Sequence, residues 1–200
     1  MSVKLIIFAT LGEAARTVEK LKARPSPSIP TCYFFDKGLI VIANVGIHSA
    51  QMAVSKYINQ VDEVWNIGLA GALKNELPIG TLVEIAKVGK HTHLPQNLDA
   101  GSIKIVESTI PSFSLPNLGA KLISTDFPIH DRDTREALSS EWDLVDMEGY
   151  GVAFAAVGFN KPYRLWKIVS DFASPGGREL IRNNKDKLSL SIAKFLLSQI

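Results

Sequence analysis

Glu148 and Asp171, two acidic residues near the C-terminal end, each stand where an apolar run meets a different kind of segment. Glu148 belongs to Val145-Asp146-Met147-Glu148-Gly149, which opens an apolar, small-residue segment from Tyr150 to Gly158. Asp171 closes an apolar run within Ser170-Asp171-Phe172-Ala173. Glu13 follows the first apolar run of the chain. Carboxylates at the ends of hydrophobic strands are held by rigid scaffold yet face the crevice where α/β proteins place their chemistry. Proton transfer and stabilisation of positive charge are the work such groups do.

The elements that would hold them read as alternating strands and helices. Val3 to Ala9 is a strand apolar on both faces, as in a parallel sheet. Glu13 to Arg24 follows as a helix with Ala14, Val18 and Leu21 on one stripe. Cys32 to Phe35 and Leu39 to Val45 flank Asp36-Lys37-Gly38, a hairpin turn. Ala50, Ala53, Val54, Tyr57 and Ile58 mark a helix, and Glu63 to Ile67 a buried strand ending in a tight turn, Gly68 to Ala72. Further strands are expected at Thr81 to Val88, Leu122-Ile123, Asp143 to Met147 and Tyr163 to Ser170, then a long amphipathic helix with Leu180, Ile181, Leu188, Ile192, Phe195 and Leu196. Residues 89–120, with several Pro, Gly, Ser and Asn, are the least regular part. This order implies a three-layer αβα sandwich with a central mixed, mostly parallel sheet, formed by one domain over residues 1–200.

Composition narrows the function classes. The chain has 200 residues, is 46% hydrophobic and 21% charged, and carries a net charge of +2. That suits a globular domain with a full core, and the dispersed Lys and Arg argue against nucleic acid or an anionic membrane as partner. Arg178, Arg182, Lys185 and Lys187 are read as the solvated face of the last helix. Cys32 is the only cysteine, which excludes an intrachain disulfide and points to a reducing cytosol. No run approaches the roughly 20 apolar residues of a membrane span, and the first ten residues are too short for a signal peptide core. A cytoplasmic protein is expected.

Three short segments, in order, carry a resemblance to a known family. Asn66-Ile67-Gly68-Leu69-Ala70-Gly71-Ala72-Leu73 resembles the Asn-x-Gly-x-Ala-Gly-Gly-Leu segment of the nucleoside phosphorylase superfamily. Val145 to Gly149 resembles its Met-Glu ribose-binding motif, and Ile168-Val169-Ser170-Asp171 its Ile-Ser-Asp catalytic motif. Within that superfamily the chain is most similar to the 5'-methylthioadenosine/S-adenosylhomocysteine nucleosidases and the related futalosine hydrolases. The resemblance implies hydrolysis of the N-glycosidic bond of a 5'-modified adenosine, with no metal and no cofactor, in a homodimer. It implies Asp171 as the acid protonating the purine, Glu13 as the base that activates water, and Glu148 and Met147 as ribose-binding residues. Gly68 and Ser170 would approach the substrate, and Phe127 would stack on the purine. A carboxyl group keeps a proton near neutral pH only where burial or another anion favours its neutral form.

Departures from the family pattern concern the surroundings of these groups. Leu69 replaces a serine and is more like the futalosine hydrolases, and Lys167 replaces an arginine ahead of the Ser-Asp pair. The base-stacking segment is shortened to Ser124-Thr125-Asp126-Phe127-Pro128-Ile129. A carboxyl at position 171, rather than an amide, suits a 6-amino purine, so adenine is the expected leaving group. Methylthioadenosine, S-adenosylhomocysteine and aminodeoxyfutalosine are the candidate substrates, the benzoate of the last meeting Arg178 or Arg182. Glu13 would repel phosphate and so favours hydrolysis over phosphorolysis.

Each residue also has an ordinary structural explanation. Asp171 caps turns well, Glu148 complements a helix dipole, and a first-turn glutamate like Glu13 is commonplace. His91 and His93 share a strand face as metal ligands can, but with no Cys or carboxylate cluster beside them they read as surface histidines. His48 opens a helix and His130 sits in a loop. Trp65, Trp142 and Trp166 supply packing or subunit contact. Two rival functions stand beside hydrolysis: a purine nucleoside phosphorylase, and a non-catalytic nucleoside-binding protein on the same fold.

Overall fold

The computed structural model describes residues 2–91, 113–114 and 119–200. The first strand, β1 (Lys4–Phe8), leads into α1 (Leu11–Lys20), then β2 (Arg24–Pro25), β3 (Cys32–Phe35) and β4 (Gly38–Ile42). Next come α2 (Ile47–Tyr57), a 3-10 turn (Ile58–Gln60), β5 (Glu63–Ala72) and β6 (Leu82–His91). After β7 (Phe113–Ser114) follow β8 (Ala120–Thr125), α3 (Arg132–Ser139), β9 (Leu144–Asp146), α4 (Gly149–Gly158), β10 (Tyr163–Asp171) and α5 (Gly177–Gln199).

These strands form one mixed sheet in the order β10-β6-β8-β9-β5-β1-β4-β3-β2, with β7 on β6. The pairings β4–β1, β1–β5, β5–β10, β6–β8 and β8–β9 are parallel, and β10–β6, β5–β9, β3–β4, β2–β3 and β6–β7 are antiparallel. Because β10 also pairs with β5, the strands β5, β9, β8, β6 and β10 close into a ring, and β1 to β4 extend from it as an open wing. Sequence order alone does not reveal this closure, which depends on β6 running antiparallel to β10.

Period-two alternation decides the layers. Leu5 and Ile7 of β1 join Leu39, Val41, Val54, Val152 and Ala156 under α2 and α4. Ile6 and Phe8 point the other way, joining Trp65, Trp166, Leu188, Ile192 and Leu196 under α1 and α5. Trp65 and Trp166 meet edge to face at 5.1 Å, and Phe195 of α5 packs on Trp166. Each such fully buried apolar side chain contributes ~1.5–3 kcal/mol, so both faces of the sheet are firmly covered. The result is the expected three-layer sandwich.

Several stretches differ from expectation: α1 stops at Lys20, and Arg24, expected in that helix, instead pairs with β3 in β2. Gly68 to Ala72 is not a turn: β5 continues through it, paired to β10 as far as Gly71 and to β9 at Gly71 and Ala72. Glycines there are read from sequence as punctuation, whereas close approach by neighbouring side chains requires them. Helix α3 was not anticipated, although Asp131 caps it by accepting from the Thr134 N–H, a recognisable start signal. The expected irregular region lies largely outside the described residues, except that β6 carries its strand on to His91. His93 also lies outside them.

Candidate active site

A cavity of about 430 Å³ opens where the parallel strands β1, β5 and β10 end, beside β9. Glu13, Met147, Glu148, Ser170 and Asp171 all line it, so residues far apart in sequence share one wall. This is the crevice outside the carboxyl ends of parallel strands where α/β folds bind ligands, and its volume falls within the range of small-molecule sites.

Glu13 is delivered by the start of α1. Thr10 caps that helix, accepting from the Glu13 N–H and donating its own hydroxyl proton to Glu13 Oε1 at 2.8 Å. Leu69 N–H donates to Oε2, and Ser189 of α5 donates to the Glu13 carbonyl. Gly68 stands directly behind the carboxylate, outside the cavity wall: a Cβ there would lie 2.7 Å from Glu13 Oε2. Burial raises the Glu13 carboxyl above the usual carboxylate range, with Thr10, Lys167 and the Leu69 N–H opposing the rise.

Glu148 sits at the junction between β9 and α4, buried, with Oε1 accepting from the Gly46 N–H at 3.1 Å. Its carboxyl is pushed up to about 7, chiefly by burial and then by the charge of Asp146, while Lys167 pulls it down. Met147 is half-buried beside it in the wall.

Asp171 ends β10 at an irregularity. The register with β5 shifts between Val169 and Asp171, leaving Ser170 as an extra residue. Consecutive strand residues normally face opposite ways, but this bulge brings both Ser170 and Asp171 to the cavity. Asp171 Oδ1 accepts from the Ala173 N–H at 2.7 Å, and Oδ2 lies 2.7 Å from Ser170 Oγ. Ser170 Oγ also lies 3.2 Å from the Ala70 carbonyl oxygen. The hydroxyl has one proton and two acceptors within reach, so it can donate to only one of them at a time. Gly71 makes room for this: a Cβ there would lie 3.1 Å from Asp171 Oδ1.

Other expected residues are placed differently. Phe127 is 59% exposed and does not line the cavity, whereas Pro128, Ile129 and His130 do. Arg178, Ile181 and Lys185, spaced on one stripe of α5, also line it, so part of the expected solvated basic face borders the site. Arg182 does not line it and is exposed, 3.9 Å from Glu179. Among the described residues no cluster of His, Cys, Asp or Glu could hold a metal, and no helix is long and apolar enough to cross a membrane.

Sequence reasoning singled out Lys167 only as a departure from the family pattern, and it missed Asp146 and the pairing of the two. They form an ion pair at 2.6 Å with both side chains sealed from solvent. The signal was available in principle, since a lysine in the middle of the β10 apolar run must be buried opposite an anion.

No protein-family model matches the chain, and neither does any curated protein. Solved structures do match. The futalosine hydrolase of Helicobacter pylori is 22% identical, with a TM-score of 0.82 over 99% of this chain and 97% of that one. Helicobacter pylori MTAN, in a mutant holding 5'-methylthioadenosine in the active site, is 19% identical, with a TM-score of 0.79 over 99% and 97%. The chain has the nucleosidase fold. A third similar structure is the 5'-methylthioadenosine/S-adenosylhomocysteine nucleosidase of Neisseria meningitidis in complex with methylthio-immucillin-A, 16% identical, with a TM-score of 0.78 over 99% and 100%. This nucleosidase fold is the one that the three sequence motifs led us to expect.

The raised Glu148 carboxyl has a consequence for stability. Its folded-state value of about 7 exceeds the ordinary 4.5 expected when unfolded, so the folded state holds the proton more tightly. That contribution is complete below pH ~4.5 and is lost as pH rises through about 7. Chemical denaturation between pH 5 and 8 should therefore show this group's stabilisation declining with pH, and Glu148→Gln should flatten the slope. An unchanged slope in the variant would remove Glu148 as its source.

Proposed function

We propose that the protein hydrolyses the N-glycosidic bond of a 5'-modified adenosine and releases adenine. The observation that carries this reading is the convergence of Glu13, Glu148 and Asp171, all buried, on one nucleoside-sized cavity. Structures of the same fold hold 5'-methylthioadenosine or methylthio-immucillin-A.

Asp171 donates a proton to N7 of the purine, so that the base leaves neutral rather than as an anion. Positive charge then grows on the ribose, and the Glu148 carboxylate, accepting from the ribose hydroxyls, stabilises it with Met147 packed against the sugar. Glu13 takes a proton from the attacking water, and burial, by raising its basicity, suits it to that task. Water adds to the anomeric carbon as the C–N bond breaks, giving adenine and the free 5'-modified ribose. Hydrolysis is favoured over phosphorolysis because phosphate in this corner would face a carboxylate. Methylthioadenosine, S-adenosylhomocysteine and aminodeoxyfutalosine remain the candidate substrates, in a cytoplasmic homodimer.

The test is to incubate the protein with these three nucleosides and with futalosine, with and without phosphate, and to follow the freed purine. Phosphate-independent adenine release is expected. Ribose 1-phosphate formation would establish a phosphorylase instead, and tight nucleoside binding without base release a binding protein.

A further inference from the structure

Three carboxylates and one ammonium are enclosed together at the base of the cavity. Lys167 reaches in from β10, and its Nζ lies 2.6 Å from Asp146 Oδ2. Asp146 is itself firmly held. Gly149 N–H donates to Oδ2 and Ser124 Oγ donates to Oδ1, while Ser124 Oγ accepts from Tyr150 N–H. These donors and the Lys167 ammonium fix the Asp146 carboxyl group in place. Glu13 comes from α1 and Glu148 from the junction of β9 and α4. One point, the Cβ position of Gly68, lies 2.7 Å from Glu13 Oε2 and 3.7 Å from Lys167 Nζ, so carboxylate and ammonium border the same small gap.

Three buried carboxyl groups beside one ammonium can be anionic together only where that ammonium is well placed. Burial works to lower the Lys167 ammonium, yet Asp146, Glu148 and Glu13 together leave it above its ordinary value. Lys167 is 1% exposed and does not line the cavity, so it acts through the carboxylates rather than on substrate.

We propose that Lys167 is a positioning residue for the hydrolysis, supplying the counter-charge that lets Glu13 and Glu148 be anionic together, and that Asp146 fixes its ammonium and limits the charge left for them. The proposal rests on the functional reading above for its purpose but not for its test. The charged and polar groups facing Glu148 are Asp146 from β9, Lys167 from β10, Glu13 from α1 and the Gly46 N–H at the start of α2.

The two halves of the ion pair act on Glu148 in opposite directions, which separates this role from a merely structural one. The experiment is to titrate Glu148 in the ligand-free full chain by NMR of 13C-labelled glutamate, using Glu148→Gln to assign the signal. Lys167→Met should move the titration up by about one pH unit or more, and Asp146→Asn should move it down by a similar amount. Lys167→Arg, which keeps the charge, should stay near the wild-type value, and the double variant Asp146→Asn/Lys167→Met should fall between the two single ones. The acidic limb of the kcat/KM profile should follow the same displacements. Shifts in one direction for both single variants, or no shift in either, overturn the proposal. Should a single variant fail to fold, the wild-type 15Nζ signal of Lys167 decides: an ammonium up to pH ~9 is expected, and a neutral amine there overturns it. If the wild type releases no purine from any nucleoside, the functional reading fails while these titrations still judge the charge arrangement.

Discussion

Asp171→Asn is expected to lower kcat by ~10²–10⁴-fold, the usual contribution of a general acid, while leaving the fold intact. The amide oxygen can take over the bond from the Ala173 N–H that Asp171 Oδ1 accepts. The amide nitrogen can donate to Ser170 Oγ, whose proton then goes to the Ala70 carbonyl 3.2 Å away. Shape and hydrogen bonds survive, and only the transferable proton is lost. Steady-state kinetics alongside a thermal melt checks both halves of this expectation. Near-wild-type turnover in a folded variant would mean that another group protonates the purine.

Glu13→Gln is the second large effect. The amide keeps the size of the carboxylate and still offers an oxygen to the Leu69 N–H, and its position under the Thr10 cap is unchanged. It cannot accept a proton from water, so kcat should again fall by ~10²–10⁴-fold. Binding should change far less, since removing one of three buried anions leaves Glu148 and Met147 in the wall. Calorimetric affinity for a non-hydrolysable adenosine analogue, set against kcat, separates the two. A loss of affinity as large as the loss of rate would recast Glu13 as a binding residue. A gain of phosphate-dependent turnover would instead show that its charge is what excludes phosphate.

Much of this protein was legible in its residues. The apolar runs at β1, β5 and β10, read with period two, gave strands buried on both faces, and the 3.6-residue stripe gave α5. Acidic residues near the ends of apolar runs, Glu13 after β1, Glu148 after β9 and Asp171 closing β10, stood out in the sequence, because a charge beside a hydrophobic strand needs a reason. The rest depended on which distant groups meet. Gly68 and Gly71 look like a turn in one dimension, whereas in the fold they are strand residues with Glu13 and Asp171 from other elements packed closely against them. Phe127 matched an aromatic pattern, but in the fold it is exposed and stands outside the cavity wall. Local propensity and hydrophobic periodicity are properties of neighbours along the chain, so sequence determined the elements and the acids they end in. The Asp146–Lys167 pair, the ring closed by β10 on β5 and the charge balance of the cavity arise between segments more than twenty residues apart. Long-range packing and the low dielectric of the interior decided those, and neither is written in any one segment.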